Sequence, residues 1–295
     1  MNYYKWIDNN FSQLVEKKVA VSGATGGIGT VLCDYLAYLG AEIICLDRNS
    51  EKSNNLISLL NKKYPTLKAR HIKLDLEDID NVKSATQELI DEEIDFLVLN
   101  AGAYKIPRYK CSTGYDNVFQ INFVSPYYMA CMLMPYIKNK GGRVVAVSSI
   151  AHNYSKIDMN DLDFTTRKAS SKVYGNAKRF LTYSLLKFFN GDESLSIVHP
   201  GITFTNITNH YPKLIFAIIK HPMKVIFMPV KKAALCVLQG LFEGCFQNEW
   251  IGPKFFYVWG LPVKKRLNTA TKKEIDEIYI NSINILNNLN NYEAD

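Results

Sequence analysis

Short apolar runs alternate with longer amphipathic stretches through most of this chain, and that alternation sets the fold class. Residues 18–22 (KVAVS), 41–47 (AEIICLD), 69–76 (ARHIKLDL), 94–102 (IDFLVLNAG), 141–149 (GGRVVAVSS) and 194–201 (SLSIVHPG) are brief and rich in β-branched residues. Runs that are apolar throughout, rather than at every second position, suit parallel strands buried on both faces. Between them, residues 28–39, 51–63, 80–92, 115–138 and 170–189 carry apolar positions at helical spacing. Strand and helix in turn predict a three-layer α/β fold. Pro65 breaks the second of these helices. Pro126 lies inside 115–138, where its missing N–H predicts a local disturbance. Asn122, four residues earlier among apolar neighbours, must find polar partners, as a structural cap or as a functional group. Further on, 233–244 reads as a helix packing on a last strand around 250–252. Residues 251–267 read as an aromatic tail marked by Pro and Gly, and 271–289 as a closing helix.

Composition narrows the partners more than the fold. The 295 residues suit one large α/β domain, or at most two small ones, and 1–295 is read as a single domain. The net charge is +7, but no Lys/Arg block is dense enough for a nucleic-acid arm. Six cysteines show no C-x-x-C spacing, and several lie in apolar runs. They predict buried free thiols in a reducing cytoplasm rather than disulfides or a zinc site. His199, His210 and His221 are scattered, so no metal site is expected. The N-terminus lacks a signal-type apolar run, and no stretch reaches the roughly 18 apolar residues that span a bilayer.

Candidate chemistry gathers at the ends of the predicted strands. The first strand empties into GATGGIG, with Gly23, Gly27 and Gly29 ahead of a helix. Glycine lets the backbone approach a pyrophosphate, and the helix start offers free N–H groups to it. Asp47 ends the second strand, where an acid binds the adenosine ribose. A carboxylate there favours NAD over NADP, while the adjacent Arg48 could accept a 2′-phosphate. Other strand ends place Asp75 and Leu76, Asn100, Ala101 and Gly102, and Ser148 and Ser149 at the same sheet edge. Only one of the two serines can face a site there. Tyr174 and Lys178, four apart in one helix, share a face. An ammonium beside a phenol favours the phenolate, so Lys178 is expected to lower the pKa of Tyr174.

In order, SGATGGIG, the acid at Asp47, LDL, NAG, QIN, VSS, YGNAK and HPGITFT span about two thirds of the chain. With them the chain resembles the short-chain dehydrogenase/reductase family in its single-domain branch. The resemblance implies a Rossmann-type, doubly wound parallel sheet of about seven strands. It implies a tetrad of Asn122, Ser149, Tyr174 and Lys178, with Tyr174 as general acid/base, Ser149 on the substrate oxygen, Lys178 on the nicotinamide ribose and Asn122 holding a water. It implies coenzyme contacts at Gly23, Thr25, Gly27, Ile28, Gly29, Asp47, Arg48, Asp75, Leu76, Asn100, Ala101, Gly102, Tyr174, Lys178, Pro200, Gly201 and Thr205, although Thr203 stands where a valine is usual. Ser149 and Tyr174 lie twenty-five positions apart, more than in the family's ordinary members. The enlarged segment and its VSSIAH start resemble the retinol-dehydrogenase-like members.

The expected function is hydride transfer between NAD, or NADP, and a hydroxyl or carbonyl group. A cofactor-sensing protein of the same fold, catalytically silent, is the alternative. A nucleotide-sugar epimerase would carry G-x-x-G-x-x-G and a larger C-terminal domain, and neither is seen. Residues 204–230, rich in Ile, Phe and Met, resemble the family's substrate lid and suggest a lipophilic alcohol or ketone. Core packing and peripheral membrane contact are the other readings of that segment. Family members usually form dimers or tetramers through the tyrosine-bearing helix and its neighbour.

Overall fold

Each of the six apolar runs contains a strand. The computed structural model describes residues 1–203, 227–246 and 248–291. In chain order these form α1 (Tyr3–Asn10), β1 (Lys18–Ser22), α2 (Gly27–Tyr38), β2 (Glu42–Asp47), α3 (Ser50–Lys63), β3 (Ala69–Lys73), α4 (Ile79–Asp91) and β4 (Phe96–Leu99). A broken helix follows: α5 (Asn117–Phe119), a π-turn (Gln120–Val124) and α6 (Ser125–Asn139). Then come β5 (Arg143–Val147), a 3₁₀ turn (Ile150–Tyr154), α7 (Ser170–Phe189), β6 (Leu195–Val198), α8 (Val230–Phe242), β7 (Glu249–Phe255), β8 (Trp259–Arg266) and α9 (Lys272–Asn290).

The strands make one sheet in the order β3-β2-β1-β4-β5-β6-β7-β8. β1 to β7 pair in parallel, and β8 returns antiparallel along β7. The central strands β4 and β6 are buried at every position, as their unbroken apolar runs require. Helices fill both faces. One core joins α4, α6, α7 and α9, and the other joins α1, α2 and α8. The order reverses between β1 and β4, the switch point where open α/β sheets bind ligands beyond their strand ends.

Two features go beyond the doubly wound sheet of about seven strands. The Pro/Gly-marked tail forms most of β7 and all of β8. Pro253 and Pro262 lie opposite each other, and β8 is an edge strand, where a missing N–H is tolerated. The disturbance expected near Pro126 is the π-turn: Ser125 N–H bonds Gln120 O five residues back, and Pro126 has no N–H to offer Asn122. Residues 204–226, most of the lid segment, lie outside the described residues, as do Thr205, His210 and His221.

Candidate active site

The glycine turn after β1 needs its glycines for two separate reasons. Gly23 adopts φ +65°, a left-handed backbone, and a Cβ there would meet Ala101 at 3.0 Å. A Cβ on Gly29 would sit 2.1 Å from the Gly23 carbonyl, so only glycine lets α2 start against the turn. The N-cap of α2 is Gly26, with no side chain to satisfy the first N–H groups, so Gly27, Ile28 and Gly29 open a helix end suited to anions. Asn100 stitches this turn to β4. Its Nδ2 donates to the Ser22 and Gly23 carbonyls at 3.0 and 3.1 Å, and Ser22 Oγ accepts from the N–H groups of Asn100 and Ala101. Two cavities meet at Gly102. One of about 230 Å³ runs past Asp47, Arg48, Asp75 and Leu76, and one of about 300 Å³ runs past Tyr174 and Gly201. A dinucleotide fits this layout, with its pyrophosphate at the glycine turn between the two.

Asp47 stands at the tip of β2 as expected, but its carboxylate faces inward and is 7% exposed. Thr25 N–H and Oγ1 donate to Oδ1 at 3.2 and 2.9 Å, and Ser53 Oγ donates to Oδ2 at 2.7 Å. Three of a carboxylate's roughly four acceptor positions are therefore taken. Asp47 and Thr25 organise the turn, and at most one ribose hydroxyl finds an acceptor there. Arg48 points outward, its side chain 67% exposed and joined to Glu77 at 2.9 Å.

At the other end, α7 presents Tyr174 and, one turn later, Lys178. Ser149 and Tyr174 line one cavity, with the Ser149 hydroxyl near enough to lower the phenol's pKa. Ser148 turns away and pairs with Thr182 Oγ1 at 2.6 Å, so the serine facing the site is Ser149, as the alternation of strand residues demands. Lys178 is 2% exposed, and its Nζ donates to the Val147 carbonyl at 2.8 Å. The expected depression of the Tyr174 pKa is not found. Burial pushes the phenol up to about 12, partly countered by the nearby Ser149 hydroxyl and reinforced by Tyr104. Burial also pushes the Lys178 ammonium down to about 7, so near neutrality it carries only part of a charge and cannot pull the phenol down.

Asn122 lies in the π-turn. Its Nδ2 donates to the Ala103 and Val118 carbonyls, and its Oδ1 accepts from Ala103 N–H. Oδ1 and Lys178 Nζ both border Gly102, where a Cβ would lie 2.8 and 3.7 Å from them. Asn122 therefore holds the strand-end segment beside Lys178. Pro200 and Gly201 close the far wall. Gly201, at φ +83°, leaves no room for a Cβ between Met228, Pro253 and Val258.

The enlarged segment between Ser149 and Tyr174 packs outside this group. Arg108 ties it down, bonding Asp116 and the Phe164 and Arg167 carbonyls. Val118, Phe164 and Val173 form a small core of their own beneath it. The long spacing thus leaves Ser149 and Tyr174 on one cavity.

One buried relay escaped the sequence reading. His152 Nδ1 lies 2.6 Å from the Ser149 carbonyl, and its Nε2 lies 2.8 Å from Thr269 Oγ1. Tyr183 shares a short hydrogen bond with the same Thr269 oxygen. A carbonyl only accepts, so Nδ1 carries the proton; burial holds the ring neutral, its pKa lowered to about 4. Thr269 then donates to Nε2, and Tyr183 donates to Thr269. Arg179 completes the knot, bonding the His152 and Thr269 carbonyls and gripping Glu274 with two N–H groups. The VSSIAH start was the only signal in the sequence for any of this.

Residues 17–160 match the family model described as short chain dehydrogenase. An oxidoreductase of Schizosaccharomyces pombe is 30% identical over 230 residues, covering 72% of this chain and 68% of that protein. Polyprenol dehydrogenase of Homo sapiens is 26% identical, covering 66% and 63%. Retinol dehydrogenase 12 of Mus musculus is 29% identical, covering 67% and 65%. The chain thus spans about two thirds of the length of the relatives it matches. Among solved structures, a Mycobacterium paratuberculosis protein superposes with a TM-score of 0.70 at 20% identity, covering 97% and 98%. A 3-oxoacyl (acyl-carrier-protein) reductase from Agrobacterium tumefaciens, with NADP bound, gives 0.60 at 19% identity, covering 79% and 88%.

Proposed function

This chain belongs to the short-chain dehydrogenase/reductase family of NAD(P)-dependent oxidoreductases, on its retinol-dehydrogenase-like side, and we propose that it interconverts a lipophilic alcohol and its ketone or aldehyde with Tyr174 as general acid/base. The observation that carries this reading is the meeting of Ser149, Tyr174 and Lys178 on one cavity that continues to the glycine turn. A nicotinamide coenzyme, when bound, supplies or accepts the hydride. In reduction Tyr174 donates its phenolic proton to the substrate oxygen, and in oxidation it takes that proton back. A phenol with its pKa at about 12 is fully protonated at neutral pH and ready to donate. Ser149 Oγ hydrogen-bonds the same oxygen and steadies the charge that develops on it. Lys178 holds the coenzyme ribose, and Asn122 keeps Gly102 and Ala103 beside it. Apolar side chains on the cavity wall, among them Ile28, Tyr104, Ile202 and Phe227, suit a hydrophobic substrate.

The coenzyme preference we assign to NADP. Asp47 weighed toward NAD in the sequence, but its carboxylate is occupied by Thr25 and Ser53, whereas the exposed Arg48 is free to trade Glu77 for a 2′-phosphate. The six cysteines are free and buried, in keeping with the cytoplasm as compartment. The test is NADPH and NADH consumption against a panel of hydrophobic ketones, with Tyr174→Phe as control. Turnover that vanishes in the variant is the expected result. Coenzyme binding without turnover in the parent protein would replace the enzyme with a coenzyme-sensing protein.

A further inference from the structure

The turn joining β7 to β8 carries a feature that coenzyme and substrate do not use. Val258 N–H bonds Phe255 O at 3.0 Å, closing a tight turn within the three-residue loop 256–258. Its central residues, Phe256 and Tyr257, have φ of +49° and +60°. That conformation ordinarily takes Asn and Gly, because side chains with a bulky Cβ strain it. Here two aromatic residues occupy it, and Phe256 is 87% exposed with Phe255 beside it at 56%. A strained turn that presents its largest apolar groups to water is a hint of function rather than of folding.

Cations surround these rings. Lys265 Nζ lies 4.1 Å from the Tyr257 ring centroid and donates to the Lys254 carbonyl, and Lys254 Nζ lies 5.7 Å from the Phe255 ring. Among the described residues neither lysine has a carboxylate partner, whereas Lys264 is paired with Glu243 and Glu249. The turn is also tied to the catalytic cavity. His199 Nε2, next to Pro200 and Gly201, donates to the Tyr257 carbonyl at 3.0 Å, and Val258 O packs against Gly201.

We propose that this turn seats the protein on an anionic phospholipid surface, with Phe255 and Phe256 entering the headgroup boundary and Lys254 and Lys265 facing the lipid phosphates. Aromatic groups flanked by lysines that have no carboxylate partner among the described residues match the two halves of such an interface, one apolar and one negative. A second copy of this chain is a poor occupant. The edge strand β8 carries Pro262 and, past the ion-paired Lys264, the cations Lys265 and Arg266, which repel an isologous partner. If the lipophilic substrate proposed above is right, seating brings the Pro200–Gly201 wall of the cavity close to the phase in which that substrate dissolves.

The test is flotation of the full chain with phosphatidylcholine vesicles, with and without phosphatidylserine. The parent should partition about tenfold more strongly onto the acidic vesicles, and raised salt should remove that preference. Phe255→Ser with Phe256→Ser should lose about tenfold in partitioning while keeping turnover of a water-soluble ketone, and Lys254→Glu with Lys265→Glu should lose the preference for acidic lipid. Ketone turnover and circular dichroism report whether each variant is folded, and the charge pair serves if the aromatic pair does not fold. Vesicle binding that is absent in the parent, or unchanged in both variants, overturns the proposal. So does a change in sedimentation of the aromatic variant without a change in flotation, which would make the turn a contact between copies. Failure of ketone turnover in the parent would strike the enzymatic reading and leave the partitioning result standing.

Discussion

Tyr174 and Lys178 are both shifted by burial, in opposite directions on the pH scale, and each shift favours the neutral form. For Tyr174 that form is the proton donor, so Tyr174→Phe should cut kcat by about 10²–10⁴ while coenzyme affinity, read by fluorescence titration, stays within about twofold. For Lys178 the neutral form is a matter of stability. Its folded pKa of about 7 lies below the unfolded value near 10.4, so the unfolded chain binds more protons between those values and stability rises with pH across that window. The penalty is complete below about pH 7. Lys178→Met should therefore abolish turnover yet stabilise the fold, and its gain at pH 6 should exceed its gain at pH 9 by about 2–3 kcal/mol in denaturant melts. An equal gain at both pH values would mean that the ammonium carries no burial penalty. The choice between the serines is just as sharp. Ser149→Ala should cost about tenfold or more in kcat, whereas Ser148→Ala should leave kcat nearly intact and cost about 1 kcal/mol of stability through the lost bond to Thr182, which keeps its own bond to the Lys178 carbonyl. These residues were legible because strand ends and a four-residue helical spacing are local rules. The inward turn of Asp47 was not, since it depends on Thr25 and Ser53 lying across the glycine turn and the start of α3.

At the level of elements, α7 was readable from end to end because its apolar spacing is regular over twenty residues. The hairpin β7–β8 was not. Gly252, Pro253, Gly260 and Pro262 are local signals of a break, and only the pairing of one strand with the other outweighs them. The same long-range character hides how the serine is held. The loop after β8 reaches back to His152, and through it to the Ser149 carbonyl, across more than a hundred residues of chain. Thr269 is thus a positioning residue, touching neither substrate nor coenzyme. Thr269→Val keeps the volume but removes the donor to His152 Nε2. It should lower kcat about tenfold, about 1.4 kcal/mol, with KM within about twofold, and Thr269→Ser should restore the parent rate. Equal losses in the Val and Ser variants would show that the methyl contact matters rather than the hydroxyl.

Across the whole molecule, the decisive addition is α9. Family members usually associate through the helix that bears the tyrosine, and a partner's helices then cover its outer face. Here the chain covers that face itself. Ile278, Ile285, Leu286 and Leu289 of α9 join the core that α7 shares, and Glu274 grips Arg179 from the first turn of α9. Nearly every α7 residue from Val173 to Leu186 is buried within one chain, including residues on the side that would meet a partner. α9 thus occupies part of the surface that an oligomer built on α7 would use, and the sequence could not reveal it, because an amphipathic C-terminal helix reads the same whether it docks at home or on a neighbour. The full chain should therefore sediment as a single chain at micromolar concentration. Ile285→Asp, placing a carboxylate in the α7–α9 core, should cost about 3 kcal/mol or more and bare an apolar face of α7, so this variant should self-associate where the parent does not. A parent that sediments as a dimer, and a variant that falls to a monomer, would show that α9 serves the partner's helix rather than its own.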